Sequence, residues 1–341
     1  MTPATLHRRA VLAGLAGCAT IAATGSATAT ADDPLTAIAA EADALEQLRA
    51  IVVVKDGEER LARAFRGPDL DRPVNVKSVS KSIVALMTGI AIDRGLIGSV
   101  DATLGELIPG LIPGDADPRV QTITVEDLLT MRAGLERTSG PNYGAWVASP
   151  NWVRYALSRP FVSEPGGRFQ YSTGSYHVLG VVLATVANRS LLTLAREWLG
   201  TPLGIEIAPW TRDPQGHYMG GNNMALSPRD LARIGEMVRL GGKSGDTQVV
   251  PAAWIEASLE PRTRSPFSGD QYGYGWFIAA FGGVPAAYAR GYGGQMIYVL
   301  KDAGLTVAVT SDPTLPARTD GHAGDLHDLV GSTIVPVAAE I

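Results

Sequence analysis

Apolar residues recur along this chain with two different periods, and the changes between them outline its elements. In "AIAAEADALEQLRA", residues 37–50, they recur at helical spacing. "IVVVKDGEERLARAF", residues 51–65, reads instead as two short strands around Asp56-Gly57, a pair that tolerates the positive φ angles of a tight hairpin. Helical spacing returns in "VKSVSKSIVALMTGIAID", residues 76–93, where Ile83, Val84, Met87, Ile90 and Ala91 define one buried face.

From about residue 95 to 260 the chain reads mostly as helices separated by Gly- and Pro-rich loops. "TVEDLLTMRAG" opens on Thr124 as N-cap with Asp127 three residues on, an Asp version of the capping box. "SYHVLGVVLATVAN" is a largely buried helix, and "LSPRDLARIGEMVRLGG" has Ser227 as cap and Pro228 in the first helical position. Strand character resumes in "YGYGWFIAAF", "AAYARGYG", "QMIYVLKDAG" and "LTVAVTS", which predict an antiparallel meander, and "DLHDLVGSTIVPVAAE" closes the chain as a helix. The expectation is an α+β fold. An antiparallel sheet formed by both termini is sandwiched by helices on its faces, with a mainly helical region inserted at about 95–260.

Composition narrows the function classes. Net charge is −5 with no long basic run, which argues against nucleic acid or an anionic membrane surface as partner. The single cysteine, Cys18, permits neither an internal disulfide nor a cysteine metal cage. Residues 1–31 read as an export signal of the twin-arginine type: Arg8-Arg9, a short apolar stretch, then "ATA" as a small-x-small cleavage site ending at Ala31. "LAGC", residues 15–18, supports a competing reading in which Cys18 is the lipid-anchored N-terminus, and a buried helix with a casual cysteine is the third. Both export readings leave one domain, 32–341, outside the cytoplasm, periplasmic or extracellular. No later stretch is apolar for long enough to span a membrane.

Candidate chemistry gathers at the head of the 76–93 helix. The chain has only five lysines, and one of them, Lys81, lies three residues after Ser78, on the same helical face. Ser80 and Ser82 lack such a partner and read as helix packing. A serine hydroxyl is a weak nucleophile until a base accepts its proton. An amine in a partly apolar cavity has its pKa lowered by desolvation and can be that base. The helix N-terminus adds N–H groups suited to a developing oxyanion. The plainer reading of the spacing is a capping serine beside a surface lysine.

"SVSKSIVALMTGIAIDRGLI", "ITVEDLLTMRAGL", "FQYSTGSYHVLG", "SPRDLARIGEM" and "GYGGQ", in that order, resemble the serine β-lactamase-related superfamily on its class C β-lactamase and esterase side. The last three look most like 6-aminohexanoate-dimer hydrolases and related carboxylesterases. The resemblance implies a β-lactamase/transpeptidase-like fold, Ser78 as nucleophile and Lys81 as its proton partner. It also implies a Tyr-x-Asn element at "YST", where Tyr171 matches and Thr173 replaces the asparagine. A Lys-Thr-Gly or His-x-Gly triplet falls on Ala289-Arg290-Gly291, where Gly291 matches and the basic first residue is missing. A second oxyanion donor falls on the Tyr292 N–H, beside that of Ser78. Taken singly, Tyr171 also reads as a core-filling ring, and the glycines around 291 as a bulge or bend. Arg290 reads either as a carboxylate partner or as solvent-facing. Tyr143, in a loop between the first two elements, is a substrate-contact candidate, and Asn222 or Asn223 a cleft-lining one.

Other motifs lead away from alternative chemistries. "GGKSG", residues 241–245, follows a helix and lacks the first glycine of a phosphate loop, so it reads as a helix stop and turn. No Gly-x-Ser-x-Gly elbow occurs. His322 and His327, with Asp325, lack the spacing that puts two metal ligands on one helix face. His177 reads as a satisfied core histidine. The expected function is an exported serine hydrolase, acting on a small ester or amide through a Ser78 acyl-enzyme, with Lys81 and Tyr171 moving protons and no metal or cofactor. A β-lactamase or D-Ala-D-Ala carboxypeptidase with the same centre is the nearest alternative. A catalytically silent ligand-binding protein is the second.

Overall fold

The computed structural model describes residues 33–341; the leader expected over 1–31, with Cys18, lies outside them. Helix α1 (Pro34–Ala44) leads to strands β1 (Leu48–Lys55) and β2 (Glu58–Ala64). The hairpin turn falls at Asp56 and Gly57, whose φ angles are +50° and +91°. The helical pattern read through Ala50 ends earlier. Leu48 and Ala50 pair with Ser311 and Thr310, so strand pairing overrides a helix-compatible sequence there.

Six more strands come from the C-terminal part: β3 (Thr263–Arg264), β4 (Gln271–Tyr272), β5 (Phe277–Phe281), β6 (Val284–Gly291), β7 (Gln295–Leu300) and β8 (Leu305–Ser311). The sheet order is β2-β1-β8-β7-β6-β5-β4-β3. Every pairing is antiparallel, and β1 joins β8 with Val52 opposite Ala308. The α+β expectation therefore holds, with one sheet built from both ends of the chain.

Both faces of the sheet are covered. Tyr288 and Tyr298, directly opposite one another, pack against His327 of the C-terminal helical segment that begins with α5 (His322–Asp328). Their neighbours on the other face, Ile297 and Val299, pack against α4 (Pro228–Arg239) at Gly235. Double coverage explains why β7 and β8 are buried at every position, where a half-exposed strand alternates. Ser227 and Asp230 form a capping box at the start of α4, as Thr124 and Asp127 do at the short helix Val125–Leu129. "GGKSG" ends α4: Gly241 and Gly242 have positive φ, and Lys243–Ser244 pairs with Thr247–Gln248 as a small hairpin.

Helix α2 (Val79–Asp93) differs from the single buried face expected of it. Every residue from Val79 to Ala91 is buried, because the helix runs between the sheet and α3 (Thr173–Val186). Its polar residues survive there by bonding backbone. Ser80 Oγ donates to Lys77 O (2.6 Å), Ser82 Oγ to Gly275 O (2.6 Å) and Thr88 Oγ1 to Val84 O (2.9 Å). Among the described residues no single helix is long and apolar enough to cross a membrane.

Candidate active site

Ser78 is the N-cap of α2, yet its side chain makes no capping bond. The hydroxyl faces Lys81 instead, with Nζ 2.9 Å from Ser78 Oγ. Lys77, just before it, holds a left-handed φ of +51°, uncommon for a lysine. Its N–H donates to Asn75 Oδ1 (2.9 Å), which fixes the turn that delivers Ser78 to the helix end.

The Lys81 side chain is 1% exposed, and burial lowers its pKa from 10.5 to about 7. Besides Ser78 it meets Gly221 O at 2.5 Å and Thr173 Oγ1 at 3.3 Å. A carbonyl oxygen only accepts, so one N–H of the amine is committed to Gly221. In the neutral amine the second N–H falls to Thr173, and the lone pair is left for the Ser78 hydroxyl. Thr173 thus sits where the missing asparagine was expected, as a partner of the lysine. It is held in turn by Ser139, whose Oγ accepts the Thr173 N–H (2.8 Å) and lies 2.9 Å from Thr173 Oγ1.

Tyr171 lies just ahead of α3. Lys81 Nζ stands 4.9 Å from its ring centroid, and Phe277 stacks on it at 6.5 Å. Burial pushes its pKa up to about 12, although a hydrogen bond with Ser78 and the charge of Arg290 pull it down. At neutral pH it is a phenol and a proton donor. Nearby cations do not win against burial.

Gly291 ends β6. A Cβ there would collide with the Val76 carbonyl, so only a glycine lets the strand end lie against the backbone that leads into Ser78. The turn that follows is braced from beneath. Gln295, fully buried, donates through Nε2 to Ser311 O (2.8 Å) and accepts the Ser311 N–H through Oε1 (3.2 Å), continuing the β7–β8 ladder with a side chain. His322 Nε2 lies 2.9 Å from Ser311 Oγ, and His327 Nδ1 lies 3.0 Å from Tyr298 OH.

These elements open on a cleft of about 760 Å³. Ser78, Tyr143, Tyr171, Thr173, Gly291 and Tyr292 all line it, while Lys81 lies behind its wall. Tyr143 begins a short helix, Tyr143–Val147, where a loop was expected, and its OH accepts from Asn222 Nδ2 (3.1 Å). Asn222 and Asn223 line the cleft as well. Arg290 points into it, and its guanidinium donates to Ala317 O (2.8 Å) and Thr319 Oγ1 (3.3 Å). Sequence reasoning missed Ser139, Gly221, Arg137 and Phe267, the last two in contact with the guanidinium 5.2 Å from the ring centroid. Only the "GGNN" cluster carried a signal for any of them.

Residues 42–331 match the Beta-lactamase family. The chain belongs to the Beta-lactamase family. The resemblance read from its motifs holds, and the family is one of serine hydrolases. Among curated relatives, the 6-aminohexanoate-dimer hydrolase of Paenarthrobacter ureafaciens is 25% identical over 239 residues, which is 64% of this chain and 59% of that protein. Two solved structures carry the fold of this Beta-lactamase family member. EstCE1, a hydrolase with promiscuous acyltransferase activity, superposes with a TM-score of 0.71 at 18% identity, over 87% of this chain and 97% of its own. The octameric penicillin-binding protein homologue from Pyrococcus abyssi gives 0.67 at 20% identity, over 87% and 76%.

Proposed function

We propose that this chain is a serine hydrolase that cleaves a carboxylic ester or amide through an acyl-enzyme on Ser78. The observation that carries the reading is a buried amine, its pKa lowered to about 7, lying 2.9 Å from the Ser78 hydroxyl. The Ser78 Oγ–H proton passes to Lys81 Nζ as the Oγ–carbonyl bond forms, and the carbonyl electron pair moves onto oxygen. The N–H groups of Ser78 and Tyr292, both at the mouth of the cleft, receive that oxyanion. Collapse breaks the bond to the alcohol or amine, which leaves with a proton supplied by way of the Tyr171 phenol and Lys81. Water then repeats the sequence and releases the acid.

The cleft wall also favours a class of substrate. Lys77, Arg137 and Arg290 line it, and among the described residues no carboxylate does, in a chain of net charge −5. With Phe267 and Phe277 as apolar wall, this suits an acyl group that carries a carboxylate on a short hydrocarbon arm. Thr173 and Ala289, in place of the expected asparagine and base, favour this over lactam recognition. The 6-aminohexanoate-dimer hydrolase among its relatives is consistent with linear amides. The twin-arginine leader supports an exported protein.

Incubation with p-nitrophenyl butyrate, p-nitrophenyl hydrogen glutarate, nitrocefin, the linear 6-aminohexanoate dimer and a fluorophosphonate probe tests the reading. Ester turnover well above nitrocefin turnover is expected, with probe labelling abolished in Ser78→Ala. Labelling that persists in that variant would sink the nucleophile assignment. Absence of both turnover and labelling would leave a ligand-binding protein.

A further inference from the structure

The Gly221 carbonyl that contacts Lys81 is held by groups with no part in the chemistry proposed above. His177 lies one turn beyond Thr173 in α3, with Nε2 3.1 Å from Asp213 Oδ2 and both side chains wholly buried. The ring stands edge-on to Trp146 and Trp152, at centroid distances of 5.8 and 5.6 Å. Its Nδ1 is buried and has no hydrogen-bond partner. The proton therefore sits on Nε2, facing the carboxylate, since a doubly protonated ring would bury an N–H with nothing to receive it. Burial lowers the His177 pKa in the same direction; Asp213 pulls against it, and His217, the other titratable group acting on it, adds to the lowering.

Asp213 closes a turn with its other oxygen. Oδ1 accepts the His217 N–H at 2.8 Å, Asp213 N donates to His217 O at 2.8 Å, and Met219 N donates to Thr211 O at 2.9 Å. The chain leaving this turn is Gly220-Gly221-Asn222. A Cβ on Gly220 would collide with the Tyr176 carbonyl, and one on Gly221 would lie 2.5 Å from Thr173 O. Bare backbone thus lies flat on the first turns of α3. Glycine packing sets how near the segment comes, and the His177–Asp213 bond sets where along the helix it stops.

We propose that His177 and Asp213 are positioning residues, a buried clasp that locks the 211–221 segment onto α3 and so holds the Gly221 carbonyl against Lys81 Nζ. The clasp rests on the reading of Lys81 as proton acceptor. Neither side chain lines the cleft, so the clasp acts on the amine through the backbone of the segment that it holds. With the carbonyl in place, one N–H is occupied and the lone pair is aimed at Ser78. With the segment released, the amine turns away and loses an acceptor that favours its charged form.

The test follows hydrolysis of p-nitrophenyl butyrate by the whole protein across about pH 5 to 9. His177→Phe and Gly221→Ala should each lower plateau kcat about tenfold, move the rising limb to lower pH and leave KM within about twofold. Their combined effect should fall short of the sum, because both act on one carbonyl. His177→Gln keeps an N–H toward Asp213 and should recover most of the rate. Where His177→Phe fails to fold, Asp213→Asn makes the same comparison, since its single oxygen cannot accept from both His177 and His217. Folded variants with a lowered Tm but wild-type plateau and limb would overturn the clasp, as would full additivity with Gly221→Ala. A wild-type protein with no limb near pH 7 would overturn the Lys81 reading instead, before any variant is made.

Discussion

Lys81 is where stability and chemistry oppose each other most directly. An ammonium in a 1% exposed site is disfavoured, so its pKa falls from 10.5 to about 7, and the folded state binds fewer protons than the unfolded one between those values. The burden is fully present below about pH 7 and fades as pH rises toward 10.5. It amounts to roughly 5 kcal/mol at pH 6 and about 2 kcal/mol at pH 9. Lys81→Met removes it and leaves the Gly221 carbonyl without a partner, a loss of about 1–3 kcal/mol. The variant should be inactive, with a Tm above wild type at pH 6 and an advantage that shrinks or vanishes at pH 9. Thermal melts at the two pH values decide it, and an advantage that grows with pH would contradict the assigned shift. In the wild type the same amine should make kcat/KM rise through about pH 7. The pairing of Ser78 with Lys81 was legible in the sequence because both lie on one helical turn. The protonation state of Tyr171 was not, because burial by Phe277 and its surroundings sets it, and no local pattern encodes that.

At the scale of elements, the candidate site depends on two backbone ends meeting: the N-terminus of α2 and the end of β6. Gly291 permits the meeting. Gly291→Ala should push β6 away from Val76, withdraw the Tyr292 N–H and lower kcat about 100- to 1,000-fold, since one oxyanion donor is worth about 2.7–4 kcal/mol. Steady-state kinetics and a melt separate the two effects; an unchanged kcat would exclude Tyr292 as a donor. Strands and capped helices were readable from period and punctuation, as Asp56-Gly57, Thr124 and Ser227 illustrate. The complete burial of α2 was not, because an apolar stripe fixes only the face that must be buried. Ser80, Ser82 and Thr88 are tolerated inside because their hydroxyls reach backbone acceptors that no local pattern encodes. Gly221 and Ser139 escaped notice for a related reason. They reach Lys81 and Thr173 through loops whose approach is set by glycine contacts across more than 30 positions of chain, with no periodicity to betray it.

For the molecule as a whole, charge in the cleft runs against the average. A net charge of −5 repels anions at long range, yet the cleft carries Lys77, Arg137 and Arg290 without a lining carboxylate among the described residues. Such a local reversal focuses an anionic group toward the cleft and disfavours a substrate with a terminal ammonium. Arg137 gives the cleaner probe. Arg290 also supports Ala317 and acts on Tyr171, whereas the Arg137 guanidinium rests over Phe267. Arg137→Met should lower kcat/KM for p-nitrophenyl hydrogen glutarate about tenfold or more, the loss of one charge-assisted bond, and leave p-nitrophenyl butyrate within about twofold. Raising salt from about 0.05 to 0.5 M should weaken the anionic substrate only, because the Debye length shrinks to a few ångströms. Equal losses for both esters would mean that Arg137 shapes the wall without reading charge. The neutral ester would then be the better guide to the natural substrate, and the cations would serve to hold the loops around Ser78.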